Sequence, residues 1–153
     1  KNLKLPKLNL PEIDPILCWR DDVAYIKDEI RKKELVLTPE EWVRVHCVDF
    51  LIDTKGYPAS WILIEKEIKV FETRKRIDVV VVDPKGGNQL LIECKAPSVS
   101  ITQTTFDQIA RYNLNIQSNY LMVSNGLDHY FCQMDYKQKR YTFIKELPNY
   151  PHK

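Results

Sequence analysis

The sequence predicts a single α/β domain in which a mixed β-sheet is flanked by helices. Two observations support this. Apolar residues recur at helical spacing after Thr38 and after Thr104, whereas the remaining segments alternate apolar and polar residues or are rich in β-branched residues. The order of these segments is helix, three strands, helix and three more strands, which is typical of one mixed sheet covered by helices. A length of 153 residues and a hydrophobic fraction of 44% suffice for one domain with its own core.

We expect the domain to occupy residues 20–147, between an extended N-terminal arm and a short tail. The arm, residues 1–19, contains three prolines and alternates leucine with polar residues. A short strand is expected around residues 18–26, with a polar turn after it. The tail, residues 148–153, carries two prolines and is expected to be loose.

The first helix is predicted to begin at Thr38. Thr38 is a good N-cap, Pro39 suits the first helical position, and Glu41 stands three residues after the cap, as in a capping box. Apolar residues recur at helical spacing over residues 42–52. The Gly-Tyr-Pro stretch at 56–58 then ends the helix.

Six strands and a second helix are predicted to follow. The turn sequence DPKGGN at residues 83–88 joins two of the strands into an antiparallel hairpin. The predicted strands are Lys66–Glu72, Arg76–Val82, Gln89–Lys95, Tyr120–Ser124, His129–Asp135 and Arg140–Ile144, and the second helix is Thr104–Asn115.

The composition narrows the class of protein. A net charge of +2, from 23 basic and 21 acidic residues, neither requires nor excludes a nucleic-acid partner. The four cysteines lie far apart without a CxxC pair, which argues against a structural zinc site and indicates reduced thiols and a cytoplasmic location. No apolar run reaches the roughly 18 residues that cross a membrane, and the first 15 residues lack the apolar core of a signal peptide.

Three charged residues interrupt the two strands of the predicted hairpin. Asp78 lies in the stretch RIDVV, and Glu93 and Lys95 lie in LIECK. Burying a charge in an apolar strand is costly unless the charge is paired or binds a metal. Glu93 and Lys95 are two residues apart and point to the same face, whereas Cys94 points into the core and its carbonyl can reach a cation near Glu93. The tight turn is expected to bring Asp78 beside Glu93.

This group suits the hydrolysis of a phosphodiester bond. Carboxylates bind Mg²⁺, which prefers oxygen ligands, and such a metal polarises a phosphoryl oxygen and lowers the pKa of bound water. A nearby lysine orients that water or stabilises the charge that develops on the phosphate. A lone Glu-x-Lys is more often a surface ion pair. The apolar strand around this one, the second carboxylate across the hairpin and the helix that follows favour a metal site.

The pattern of Asp78, Glu93 and Lys95 resembles the core of the PD-(D/E)XK nuclease superfamily, and QIARY at 108–112 resembles the QxxxY helix motif of some of its branches. Six stretches together resemble, more closely, the N-terminal nuclease domain of type I restriction R subunits. They are PEEWVR (39–44), GYP (56–58), RIDVVVVD (76–83), LLIECKAP (90–97), FDQIARYN (106–113) and LMVSNGLDHY (121–130). The resemblance covers roughly residues 20–147 and implies a restriction-endonuclease-like fold.

The resemblance implies a role for each matching residue. Asp78 and Glu93 would bind the metal, with Mg²⁺ expected and Mn²⁺ able to substitute. Lys95 would be the catalytic lysine. Gln108 and Tyr112, one helical turn apart and therefore on one face, would line the site or contact DNA.

Further candidates lie on the first helix and among the basic residues. An acidic residue of the first helix often completes such a site, and Glu41 is preferred here over Glu40, with His46 one to two turns further on; the capping box explains Glu41 equally well. Five basic residues are candidates for a rim that contacts phosphates, although a solvated charged surface explains them equally well. They are Arg44, Arg74, Lys75, Arg76 and Arg111.

The resemblance therefore implies a Mg²⁺-dependent endonuclease that hydrolyses DNA as part of the R subunit of a type I restriction-modification system. Its partners would be DNA and the specificity and methyltransferase subunits of a restriction complex. The alternative is a catalytically silent nuclease-like fold that binds DNA or protein. The presence of all three of Asp78, Glu93 and Lys95 favours the enzyme.

Overall fold

The computed structural model of the protein describes the backbone of residues 5–70 and 73–151 and the side chains of residues 5–65 and 76–151. Residues 1–4 of the predicted arm and 152–153 of the predicted tail lie outside this description. The elements, in chain order, are β1 Leu17–Arg20, β2 Val23–Asp28, β3 Lys33–Val36, α1 Pro39–Asp53, β4 Ile62–Val70, β5 Thr73–Val82, β6 Asn88–Cys94, α2 Gln103–Ile116, β7 Tyr120–Ser124, β8 His129–Asp135 and β9 Arg140–Ile144.

Strands β4 to β9 form one six-stranded sheet in which spatial order follows chain order. Every pair in this sheet is antiparallel except β6 and β7, which are parallel and are connected through α2. A parallel pair needs a crossover of this length, whereas short turns join the antiparallel pairs β5–β6, β7–β8 and β8–β9. The predicted α/β class with a mixed sheet and flanking helices is confirmed.

The two helices cover opposite faces of the sheet. Along β5 and β6 successive side chains alternate between the two cores: Val79 and Ile92 pack in the core that contains residues of α1, whereas Val80 and Leu91 pack with residues of α2. All four are buried. The central strands are therefore apolar on both faces.

The hairpin of β5 and β6 has the predicted antiparallel pairing, with Val79 opposite Ile92. The turn is organised by Asp83, whose Oδ1 accepts hydrogen bonds from the backbone N–H groups of Lys85 (2.8 Å) and Gly87 (3.0 Å). Gly86 has φ 93°, a conformation that few residues other than glycine adopt.

Helix α1 begins where predicted, but only half of the predicted capping box is present. The Thr38 hydroxyl accepts from the backbone N–H of Glu41 at 3.1 Å. The carboxylate of Glu41 does not reach back to Thr38 in return; its Oε1 accepts from Nε of Arg44. The side chain of Glu41 is therefore committed to an ion pair on its own helix.

The strand expected around residues 18–26 is wrong in detail. The segment forms two strands, β1 and β2, and a third strand, β3, completes an antiparallel three-stranded sheet that the sequence prediction missed. The β1–β2 turn consists of Asp21 and Asp22, with φ values of 51° and 65°. Aspartate tolerates this left-handed conformation better than most residues, so the turn needs no glycine.

The chain from residue 5 to residue 16 has no regular secondary structure but packs on the domain. Leu8 is buried, and its side chain lies against Gly126, where an added Cβ would come within 2.7 Å of it. The backbone N–H of Asn9 donates to the carbonyl of Gly126 at 2.7 Å, and Nε1 of Trp42 donates to the carbonyl of Pro6 at 2.9 Å. The arm is therefore attached to α1 and to the β7–β8 turn.

The predicted loose tail is also wrong for the described residues 148–151. Tyr150 is buried, and its ring makes an edge contact with the ring of Tyr57. The Tyr150 hydroxyl donates to the carbonyl of Val82 at 2.8 Å. Neither described helix has the length and apolar character that crossing a bilayer requires.

Candidate metal centre and active site

An open cleft of about 510 Å³ lies where the N-terminus of α1 faces β3, the middle of β5 and the C-terminal end of β6. It contains most of the residues that the sequence singled out. The charged side chains that line it are Glu40, Glu41, Arg44, Glu65, Arg76, Asp78, Glu93 and Lys95.

At Asp78 the pairing of β5 with β6 has ended, and the pairing of β5 with β4 is interrupted for one residue pair. Toward β6 the ladder ends at Val79 and Ile92, and the next step in the same register places Asp78 opposite Glu93. Toward β4 the residue opposite Asp78 is Glu65, which has φ 55°. A non-glycine strand residue in this region is uncommon and interrupts the ladder.

The carboxylate of Asp78 accepts a hydrogen bond from the backbone of β6, as a carbonyl group of a paired strand would. Its Oδ2 accepts the backbone N–H of Cys94 at 2.7 Å. This bond holds the acid of β5 next to Glu93, the residue that precedes Cys94 on β6. The predicted neighbourhood of Asp78 and Glu93 therefore has a specific hydrogen bond that maintains it.

Glu93 and Lys95 lie together at the same end of β6. Glu93 is only 6% exposed, and its Oε2 is 3.4 Å from Nζ of Lys95. The backbone N–H of Lys95 donates to the carbonyl of Ser124 at 2.8 Å, which continues the β6–β7 pairing past the end of the strand. The side chain of Lys95 is 30% exposed, so its ammonium group reaches the cleft while its backbone stays fixed.

The thiol of Cys94 is unsuited to be a metal ligand, which leaves the backbone carbonyl as the donor that this residue offers. The side chain is buried beside Cys47 of α1. Hydrogen bonding to Cys47, burial and the nearby carboxylates of Asp78 and Glu93 all raise the pKa of the Cys94 thiol, which therefore stays protonated. All four cysteines fall within the described residues and are free thiols.

The side chains that the structure describes give the cleft an excess of negative charge. Among them, five carboxylates and three cationic groups line the cleft, which leaves a formal charge of −2. The donors are oxygens, which suit Mg²⁺. Among the described residues, no three His, Cys, Asp or Glu side chains converge into a ready-made metal cluster. Mg²⁺ commonly keeps several waters and binds through one or two carboxylates, so Asp78, Glu93 and the Cys94 carbonyl form a donor set of the appropriate kind.

The three candidates on α1 differ in position. Glu41 lines the cleft and is paired with Arg44, and Glu40 also lines the cleft but is exposed. His46 is buried at a different cavity, beneath the N-terminal arm, where its Nδ1 bonds to the carbonyl of Trp42 at 2.8 Å. The structure therefore places Glu41 and Glu40 at the cleft and His46 away from it.

The remaining predicted residues are divided between two surfaces. Arg76 lines the cleft, whereas Gln108, Arg111 and Tyr112 are not among the described residues that do so. Gln108 is exposed on α2, and Tyr112 is half-buried against the core between α2 and the sheet. Arg111 lines a separate groove between α2 and the β8–β9 hairpin.

The sequence model of the type I restriction enzyme R protein N terminus matches residues 39–148, well over half of the chain. The chain belongs to this family. Comparison with curated proteins gives no significant match. The matched region of this R-protein N-terminal domain begins with α1 and includes every strand of the six-stranded sheet.

Among the residues at or behind the cleft that the sequence did not single out, three are informative, and two of these precede the family match. Val36 of β3 lines the cleft, and Asp28 at the end of β2 is buried and paired with Arg44 of the cleft wall. The third, Glu65, pairs with Arg31. A signal for Asp28 existed: it follows Ala24 and Ile26 at alternating positions, so a strand pattern places it on the inward face. A strand that puts a carboxylate inward requires a buried partner.

Proposed function

We propose that this domain is a Mg²⁺-dependent endonuclease that hydrolyses DNA phosphodiester bonds within the R protein of a type I restriction system. The observation that carries the proposal is the hydrogen bond from the Cys94 N–H to Asp78, which fixes one carboxylate beside Glu93 and Lys95 in an open, acidic cleft. Membership of the R-protein family supports the same conclusion.

Asp78, Glu93 and the carbonyl of Cys94 are the groups that would hold the metal. When bound, Mg²⁺ would polarise the scissile phosphodiester and lower the pKa of the attacking water. Glu93 is buried and Asp78 is held by a hydrogen bond, so both carboxylates are already ordered before a metal binds.

Lys95 acts on the phosphate. Its ammonium group lies beside Glu93 and is partly exposed to the cleft, so it can donate hydrogen bonds to the oxygens on which negative charge accumulates during hydrolysis. Arg76, on the rim of the same cleft, contributes a second cation for the DNA backbone. Gln108, Arg111 and Tyr112 lie outside the cleft and would act only if the DNA path extends over α2.

The partners proposed for this domain are DNA and, through the rest of an R protein, the specificity and methyltransferase subunits of a restriction complex. A cytoplasmic location follows from that role and from the reduced thiols. Target recognition would be supplied by the specificity subunit, so cleavage by this domain alone is expected to show little sequence preference.

The test is cleavage of supercoiled and linear DNA by the purified chain in Mg²⁺ or Mn²⁺. Lys95→Met should lower the cleavage rate about 10²–10³-fold, whereas the matched control Lys85→Met, in the turn at the opposite end of the hairpin, should leave it unchanged. A cleavage rate in Lys95→Met equal to that of the unaltered chain would contradict the proposal. Salt-sensitive DNA binding with no cleavage and no metal requirement would instead identify a silent binding module.

A further inference from the structure

Arg44 is a buried cation in the wall of the cleft. Its side chain is 3% exposed, and two carboxylates bind it: Nη2 is 3.1 Å from Oδ2 of Asp28, and Nε donates to Oε1 of Glu41. The third nitrogen, Nη1, is buried and has no hydrogen-bond partner among the described residues. An unsatisfied buried donor is costly, so this arrangement is not one that fold stability alone would select.

Asp28 anchors this group to the N-terminal sheet. Its second oxygen, Oδ1, accepts from the backbone N–H groups of Ile30 (3.0 Å) and Arg31 (3.4 Å). The Asp28 carboxylate is therefore held by the turn that follows β2, and it in turn holds the guanidinium of Arg44. The anchor lies outside the region that the family model matches.

Glu41 is the third member of the group that Asp28 and Arg44 form. It lines the cleft, and one of its oxygens is bound to Arg44, while no described group donates to the other. We propose that Arg44 is a positioning residue: fixed by Asp28, it holds Glu41 through one oxygen so that the other faces the metal-binding end of the cleft. The inference rests on the proposed function, because it concerns the environment of the metal that Asp78 and Glu93 would bind.

An arginine is needed for this task rather than any cation. Its planar group presents Nε and Nη2 to two carboxylates at once, whereas the ammonium of lysine is a compact point charge on a flexible stem. Carboxylates around a metal are commonly oriented by such outer contacts, and losing one typically weakens metal binding by 10–100-fold. Arg44→Lys keeps the charge and removes the geometry, so it separates orientation from long-range electrostatics.

The test measures Mn²⁺ affinity by calorimetric titration of the full chain and of Arg44→Lys, Glu41→Gln and the double variant. Arg44→Lys should weaken Mn²⁺ binding about tenfold. If Arg44 acts through Glu41, the double variant should bind no more weakly than Glu41→Gln alone, because the two changes remove one contribution. The matched control is Arg20→Lys, which alters the exposed Arg20–Glu34 pair on the same N-terminal sheet and should leave the affinity unchanged.

The possible outcomes are distinguishable. Unchanged or tighter Mn²⁺ binding in Arg44→Lys, or fully additive losses in the double variant, overturns the positioning role while leaving the proposed function standing. Absence of Mn²⁺ binding to the unaltered chain overturns the proposed function and this inference with it. If Arg44→Lys does not fold, Asp28→Asn decides: it keeps the shape of the anchor, and an unchanged Mn²⁺ affinity in that variant refutes the role.

Discussion

Replacing Asp78 by asparagine separates the charge of this side chain from its structural contact. Asparagine has an amide oxygen that can accept the Cys94 N–H as Oδ2 of the aspartate does at 2.7 Å, whereas alanine has none. We therefore expect Asp78→Asn to change the metal-free free energy of unfolding by less than about 1 kcal/mol. Asp78→Ala leaves the N–H of Cys94 without this acceptor and should cost about 1–3 kcal/mol.

The two variants should behave alike when Mn²⁺ is added, because both substitutions remove the carboxylate. A ligand present at one hundred times its Kd stabilises the folded state by about 2.7 kcal/mol. For a chain of this size, 1 kcal/mol corresponds to about 2–4 °C in Tm, so saturating Mn²⁺ should raise the Tm of the unaltered chain by about 5–11 °C. Both variants should lose most of this increase.

The assay is thermal unfolding followed by circular dichroism, with the metal-free state defined by EDTA and Mn²⁺ then titrated. Lys85→Met serves as the control, because it changes a charge at the far end of the same hairpin. An Asp78→Asn protein that keeps the full Mn²⁺-dependent rise in Tm would refute the assignment of Asp78 as a ligand.

Three further predictions follow from the same structure. Lys95→Met should lower the cleavage rate about 10²–10³-fold, measured by single-turnover kinetics, and should keep the Mn²⁺-dependent rise in Tm, measured by thermal unfolding. Loss of both cleavage and the rise in Tm would make Lys95 a structural residue. Ile92→Ala, at a fully buried position in the core facing α1, should cost about 2–5 kcal/mol in urea unfolding, and a smaller loss would contradict the packing described. Burial lowers the pKa of His46. Below the ordinary histidine pKa of about 6.5, the unfolded chain therefore binds a proton more readily than the folded chain, and the free energy of unfolding should fall as the pH drops. His46→Gln should make this fall shallower, and an identical slope would be evidence against the prediction.

Local sequence signals predicted most of the family-matched region. Thr38 and Pro39 mark the start of α1, and the Asp83–Asn88 turn fixes the β5–β6 hairpin, because each signal acts through hydrogen bonds within a few residues. The proximity of Asp78 to Glu93 followed from that turn alone.

The N-terminal sheet was missed because its signals are weak and its stability is not local. The Asp21-Asp22 turn lacks glycine, and β3, with the sequence KELV, is short and half charged. What places this sheet on the domain is long-range: the ion pairs of Asp28 with Arg44 and of Arg31 with Glu65 join residues 16 and 34 positions apart.

The roles of Glu41, Gln108 and Tyr112 depend on tertiary contacts, which the spacing of residues along the sequence does not reveal. A capping box and an ion pair to Arg44 use the same carboxylate of Glu41, and the buried partner Asp28 favours the second. Likewise, the spacing of Gln108 and Tyr112 puts them on one face of α2, but the packing of Tyr112 on the sheet decides which way that face turns.

The most direct test of the central claim is the position of Mn²⁺, found by its anomalous scattering, in crystals of the full chain grown with the metal. We predict a peak bound by the carboxylates of Asp78 and Glu93 beside the carbonyl of Cys94. A peak between Asp28 and Glu41, or saturating Mn²⁺ with no peak at Asp78 and Glu93, would contradict it.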